Sequence, residues 1–165
     1  MGHRALHAVP TTGGRYDCVR THWDSLAVFE AGFPDPPDSH PVVEGVDAVG
    51  VLRTLRDADE ALFVHGQGTV YLVWSLAVPT ADSGGQTGRG GQVLVPVTDA
   101  DSARLLDRDV ATAKGILGDA VDAELITRPI AEGYLRAFLA RHPDARGAVW
   151  YLVDRSTECD GKPPP

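Results

Sequence analysis

The sequence predicts an α+β domain: a largely antiparallel sheet of about six strands, opening with a β-hairpin, with about three helices packed on it. Three observations carry this. Two apolar stretches at the start of the chain flank a proline-to-glycine turn, a second pair flanks Gly66-Gln67-Gly68, and three other stretches repeat apolar residues at helical spacing.

The opening hairpin pairs 4–9 with 15–23 across Pro10-Thr11-Thr12-Gly13-Gly14, where proline ends the first strand and the glycines supply the positive φ of a tight turn. Residues 26–41 carry Pro34, Pro36, Pro37 and Pro41 and read as a surface loop. Val42, Val46, Val49 and Leu52 recur at helical spacing and predict an amphipathic helix over 45–56. The second hairpin, 61–65 with 69–78, is rich in Val, Leu, Tyr and Trp. Residues 79–92 are glycine-rich and lack large apolar side chains, so they read as a long flexible loop leading to a strand at 93–97. Thr98, Asp99 and Asp101 are cap candidates for a helix whose buried stripe is Leu106, Val110, Ala113, Leu117 and Val121, with Gly115 and Gly118 placed to bend or end it. After Thr127-Arg128-Pro129 a further helix carries Ile130, Tyr134, Leu135, Phe138 and Leu139 on one stripe and stops at His142-Pro143. A last strand spans 148–153. The expected organisation is one domain over 1–156 followed by a disordered tail over 157–165 that ends in three prolines.

Composition narrows the function. The chain has 165 residues and a formal charge of -8, with 17 Asp against 6 Glu and 13 Arg against 2 Lys. Such an Asp-rich, Lys-poor chain suits a high-salt cytoplasm, where acidic side chains keep a surface hydrated. The acidic total disfavours sequence-blind nucleic-acid binding, which depends on phosphate neutralisation by Lys and Arg. No basic and apolar leader opens the sequence, and the longest apolar run, 70–78, is too short for a membrane helix, so a cytoplasmic protein without a membrane partner is expected. Cys18 and Cys159 show no metal-ligand or redox spacing. No cofactor is indicated.

The candidate chemistry lies on the opening hairpin. With a four-residue turn, Thr11 to Gly14, His7 stands opposite Cys18 and His3 opposite His22, each pair about 4.5–5.5 Å apart at Cβ. The two pairs lie roughly 13 Å from each other, at about 3.3 Å per residue, which excludes one four-ligand metal site. A thiol beside an imidazole is the requirement for a thiolate nucleophile at neutral pH. His7, Cys18, His22, Asp24 and Ser25 are therefore the candidate catalytic residues: Cys18 or Ser25 as nucleophile, His7 or His22 as base, Asp24 as its orienting acid.

Met1-Gly2-His3-Arg4-Ala5-Leu6, Gly14-Arg15-Tyr16-Asp17 and His22-Trp23 resemble the opening of a family of uncharacterised haloarchaeal proteins, a domain of unknown function (DUF6735-like). The likeness is specific over the first 25 residues and looser beyond, through Glu60-Ala61-Leu62-Phe63-Val64 and the strand around Trp74. It brings no activity with it. A more distant likeness is to N-terminal nucleophile hydrolases, and it implies that fold without its nucleophile, since Met1-Gly2-His3 offers no Cys, Ser or Thr at the mature terminus.

Gly-Gly-Gln occurs twice in the long loop, at 84–86 and 90–92, and resembles the peptide-release motif of translation termination factors. A motif this short arises readily in a glycine-rich loop. Three readings follow: a non-enzymatic binding or adaptor domain with a protein or small-molecule partner; a hydrolase-like enzyme using Cys18 or Ser25 with a hairpin histidine; and, remotely, peptidyl-tRNA hydrolysis by the Gly-Gly-Gln loop.

Overall fold

The structure is a computed structural model and describes residues 4–22, 29, 32–56, 58–81 and 91–151. Seven strands, β1 (Arg4–Pro10), β2 (Tyr16–His22), β3 (Val43–Val46), β4 (Asp59–Val64), β5 (Thr69–Ser75), β6 (Gln92–Val97) and β7 (Val149–Tyr151), form one open mixed sheet in the order β3-β2-β1-β4-β5-β6-β7. Each pairing is antiparallel except β1 with β4. The helices are α1 (Ala48–Thr54), α2 (Ala100–Asp122) and α3 (Arg128–Arg141). This is the α+β class predicted, opening on a hairpin. No helix among the described residues is long and apolar enough to cross a membrane.

The seventh strand is β3, and the sequence pattern hid it. Val46 belongs to this edge strand rather than to the helix predicted over 45–56, because four residues are too few to display strand alternation. Its neighbour holds it by side chains: Arg15 Nη1 donates to the Gly45 carbonyl at 2.7 Å, and Gly45 N–H donates to Asp17 Oδ1 at 2.9 Å. The helix starts later, at Ala48, capped by the Asp47 carboxylate accepting from Gly50 N–H.

The hairpin turn is one residue longer than predicted, and this changes which side chains meet. Thr11 N–H donates to the Arg15 carbonyl at 2.8 Å, and Pro10 pairs with Tyr16, so five residues lie between the strands. Gly13 and Gly14 adopt φ of 72° and 70°, a left-handed geometry that glycine enters without a Cβ penalty. Positions of equal parity now face each other: His7 opposes Val19, and Ala8 opposes Cys18. Because side chains alternate along a strand, His7 and Cys18 project from opposite faces of the sheet.

Each face has its own core. Under α1 lie Leu6, Ala8, Cys18, Leu62, Val73 and Leu94, packed with Val51 and Leu55. On the other face Val93, Val95 and Leu76 meet Leu106 and Val110 of α2 and Leu135 and Leu139 of α3, while Ala5, Phe63, Leu72 and Val97 gather around Ala103. Fully burying one such aliphatic side chain stabilises the fold by about 1.5–3 kcal/mol.

Glycine does not break α2, which runs unbroken past Gly115 and Gly118. Gly118 is needed for a different reason: a Cβ there would overlap the Pro79 carbonyl, so the helix lies directly on the chain that leaves β5. The stripe predicted for α3 is divided. Ala131, Leu135 and Leu139 are buried, but Ile130 and Tyr134 face outward, because α3 lies at the margin of the layer and only one i, i+4 row meets it. The expected tail at 157–165, and most of the expected loop at 79–92, lie outside the described residues.

Candidate functional site

Parallel pairing of β1 with β4 brings His65, just beyond β4, alongside His7: the His65 N–H donates to the Ala8 carbonyl at 3.0 Å. The two imidazoles then meet, His7 Nδ1 to His65 Nε2 at 2.9 Å, and His7 Nε2 reaches Thr21 Oγ1 of β2, also at 2.9 Å. The result is a chain of hydroxyl, imidazole and imidazole across three strands. The His7 ring stacks on Phe63 with centroids 4.6 Å apart, and Phe33 packs edge-on against both Phe63 and His65.

Two proton arrangements satisfy this chain with both rings neutral. Either Thr21 donates to His7, which donates from Nδ1 to His65, or His65 donates to His7, which donates from Nε2 to Thr21. Burial holds His7 neutral, taking its pKa from 6.5 down to about 4, with the neighbouring His65 adding to the effect. His65 is also lowered by burial, against a smaller opposing pull from the Asp35 carboxylate. An imidazole kept free of protons beside a hydroxyl is what general-base activation of an oxygen nucleophile requires.

The thiol proposed from sequence does not join this site. Cys18 is fully buried on the α1 face, and its pKa is raised, chiefly by burial. A thiol so placed stays protonated and sheltered, so the geometry gives no support to the Cys18–His7 pair. His22 ends β2, exposed and opposite Arg4. Asp24 and Ser25 lie outside the described residues, as do His3 and Trp23. Of the second Gly-Gly-Gln copy, Gln92 is the first residue of β6, buried, with Nε2 donating to the Arg56 carbonyl at 3.2 Å. It is a strand residue, not the tip of a loop.

A second feature occupies the opposite face. Beside α1 a mainly apolar trough of about 240 Å³ crosses the sheet, floored by Ala8, Leu62, Val64 and Leu94 and walled by Val51 and Leu52 of α1. Tyr16, Tyr71 and Gln67 are the polar-bearing side chains of its lining, and Val149 of β7 closes one end. One short helix covers less of a seven-stranded sheet than the long α2–α3 pair covers on the other face, and the trough is the space left beside it.

His65, Thr21 and the trough were not singled out from sequence. A signal for His65 existed in its place next to Gly66, which adopts φ of 83° against Pro10, but its partnership with His7 depends on a parallel pairing across 58 residues. Comparison with models of known families, with curated proteins and with solved structures found no match.

Proposed function

We propose that this chain is a binding domain whose ligand seat is the trough beside α1, and that its ligand is a small, mostly apolar molecule with one polar end. The observation that carries this reading is a concave apolar surface with a few polar-bearing side chains at one sheet face, the form that small-molecule sites take. Its volume, at about 30 Å³ per water-sized group, suits a ligand of roughly eight non-hydrogen atoms. The acidic total charge makes an anionic ligand the poorer fit, since each anion must approach against a net charge of -8.

The test uses p-cresol and hexanol as probes, followed by saturation-transfer NMR and by shifts of protein amide signals. Binding in the range of about 0.05–1 mM is expected, given the ligand efficiency of very small molecules. Ala48→Trp, an exposed change at the trough wall, is expected to weaken binding at least about tenfold by filling the space. Unchanged amide signals with either probe, or full binding by the Trp variant, would remove the reading.

A second reading rests on the geometry of Thr21 and His7. Here His7 Nε2 accepts the Thr21 hydroxyl proton as Thr21 Oγ1 attacks an ester carbonyl, and the departing alcohol takes that proton as the acyl-enzyme forms. This moves the nucleophile of the hydrolase reading from Cys18, which lies on the opposite face, to Thr21. A base held at a pKa of about 4 accepts protons weakly, which ranks this reading second. With p-nitrophenyl acetate, an acetyl adduct on Thr21 in the intact protein, lost in Thr21→Val, is the expected result. Adduct mass elsewhere on the chain, or none, counts against it.

A further inference from the structure

We propose that the trough beside α1 takes an unbranched alkyl chain ending in a neutral hydroxyl, laid obliquely across the sheet with the hydroxyl at Tyr16 and the methyl end at Val149. This rests on the reading of the trough as a ligand seat and names the shape and polarity of its occupant. Strand register fixes the course of the trough. Pro10 pairs with Tyr16, and a Cβ on Gly66 would lie 3.0 Å from the Pro10 ring, so Tyr16 and Gln67 both stand beside Pro10 at the turn end of the sheet. Ala8 and Val64 pair just below them, and Leu62 pairs with Tyr71 two residues further from the turns. Leu94 pairs with Val73, two residues further again, and with Val149 on its other side. Each move toward β7 is thus also a move away from the turns.

The length of that course selects a chain over a compact molecule. Val64 and Leu94 are two strands apart and four residues apart along them, which is about 16 Å at about 4.8 Å per strand and about 3.3 Å per residue. Spread over this distance, a volume of about 240 Å³ has a cross-section of about 15 Å², the width of a single row of carbon atoms at contacts of about 3.5–4.0 Å. A compact molecule of equal volume covers only part of that length. The lining also differs from end to end. At the turn end, neither the Tyr16 hydroxyl nor the Gln67 side-chain amide has a hydrogen-bond partner among the described residues, whereas the far end is formed by the aliphatic Leu94 and Val149. Among the described residues no charged side chain lines the trough, so a carboxylate or an ammonium would be desolvated there without a counter-charge. A hydroxyl both donates and accepts, as Tyr16 and Gln67 do.

The test titrates the full chain with n-butanol, n-hexanol and n-octanol, and with cyclooctanol as a compact probe of the same carbon number as n-octanol, following amide signals by NMR. Affinity is expected to rise about threefold to fourfold per methylene, at least about fiftyfold from butanol to octanol, with cyclooctanol at least about tenfold weaker than n-octanol. Val149→Trp, at a position 41% exposed, is expected to weaken octanol about tenfold and to leave butanol unchanged, because it shortens the far end. Tyr16→Phe is expected to weaken every straight-chain alcohol by one common factor of about threefold to tenfold, the worth of a hydrogen bond at the shared end. Cyclooctanol binding as tightly as n-octanol, or octanol no tighter than hexanol, overturns the extended chain and leaves the ligand seat standing. Octanol binding untouched in Val149→Trp, or alcohol binding untouched in Tyr16→Phe, overturns the orientation. Amide signals unmoved by all four alcohols and by p-cresol remove the seat and this assignment together.

Discussion

Asp59→Ala is expected to lower the free energy of unfolding by about 3–5 kcal/mol, the range for removing one partner of a buried ion pair. Asp59 is 2% exposed at the start of β4, and both its oxygens are used: Oδ1 accepts from Arg20 Nε and Oδ2 from Arg20 Nη2, each at 2.9 Å, while Arg56 N–H donates to Oδ2 at 2.8 Å. The Arg20 guanidinium is nearly as enclosed and also donates to the Thr54 carbonyl at 2.8 Å. Truncation leaves a cation in a dry site with one carbonyl for company and frees the Arg56 amide. The register of β1 and β4 shifts between Arg4 and Ala5, so Asp59 aligns with Arg4 while Ala61 aligns with Ala5, and the extra residue re-aims Asp59 toward Arg20. The pair therefore ties β2, the parallel joint of the sheet and the end of α1 at one point. Urea unfolding would read the effect as a lower midpoint at constant slope. A loss below about 1 kcal/mol would mean that Arg20 finds another counter-charge or reaches water.

The second large effect is acid sensitivity between pH 6.5 and about 4. The folded state holds His7 at a pKa of about 4 against 6.5 when unfolded, so within that window the unfolded chain binds a proton that the native chain does not. Stability then rises with pH: this contribution is complete above 6.5 and is lost progressively on acidification toward 4. The full difference is about 3 kcal/mol, at about 1.4 kcal/mol per unit. His65 shifts in the same direction and shares the hydrogen bond, so the first proton to enter the pair opposes the second. Measurements between pH 6.5 and 5 isolate the effect from most carboxylates. His7→Leu is expected to be less stable at pH 8, having deserted Thr21 and His65, yet to show a flatter slope across this interval. An unchanged slope in that variant would place the acid sensitivity elsewhere.

What could be read in the sequence differed between the site and the frame around it. The hairpin was plain from Pro10 and the two glycines, and the candidate chemistry was placed on its histidine-bearing face. The partners of His7 were not, because a turn of four residues and one of five differ by a single position, and that position decides which face every side chain of β2 takes. Cys18 went to the α1 core and Thr21 came to His7 for that reason alone. In the same way, Ile130, Tyr134 and Phe138 had the spacing of a buried stripe, and only the placement of α3 at the edge of the layer left two of them outside.

The sequence by itself determined the class: alternation and turn residues set the strands, caps at Asp99 and the Arg128-Pro129 start set the helices, and composition set a formal net charge of -8. These are local properties, fixed by backbone geometry within a few residues of each position. The tertiary structure alone decided the parallel joint of β1 with β4, the His7–His65 contact, the Arg20–Asp59 pair and the trough beside α1. Each joins residues distant in the chain, and their meeting is settled by which strands pair and which face each helix covers, a choice made by the burial of the whole apolar surface at once.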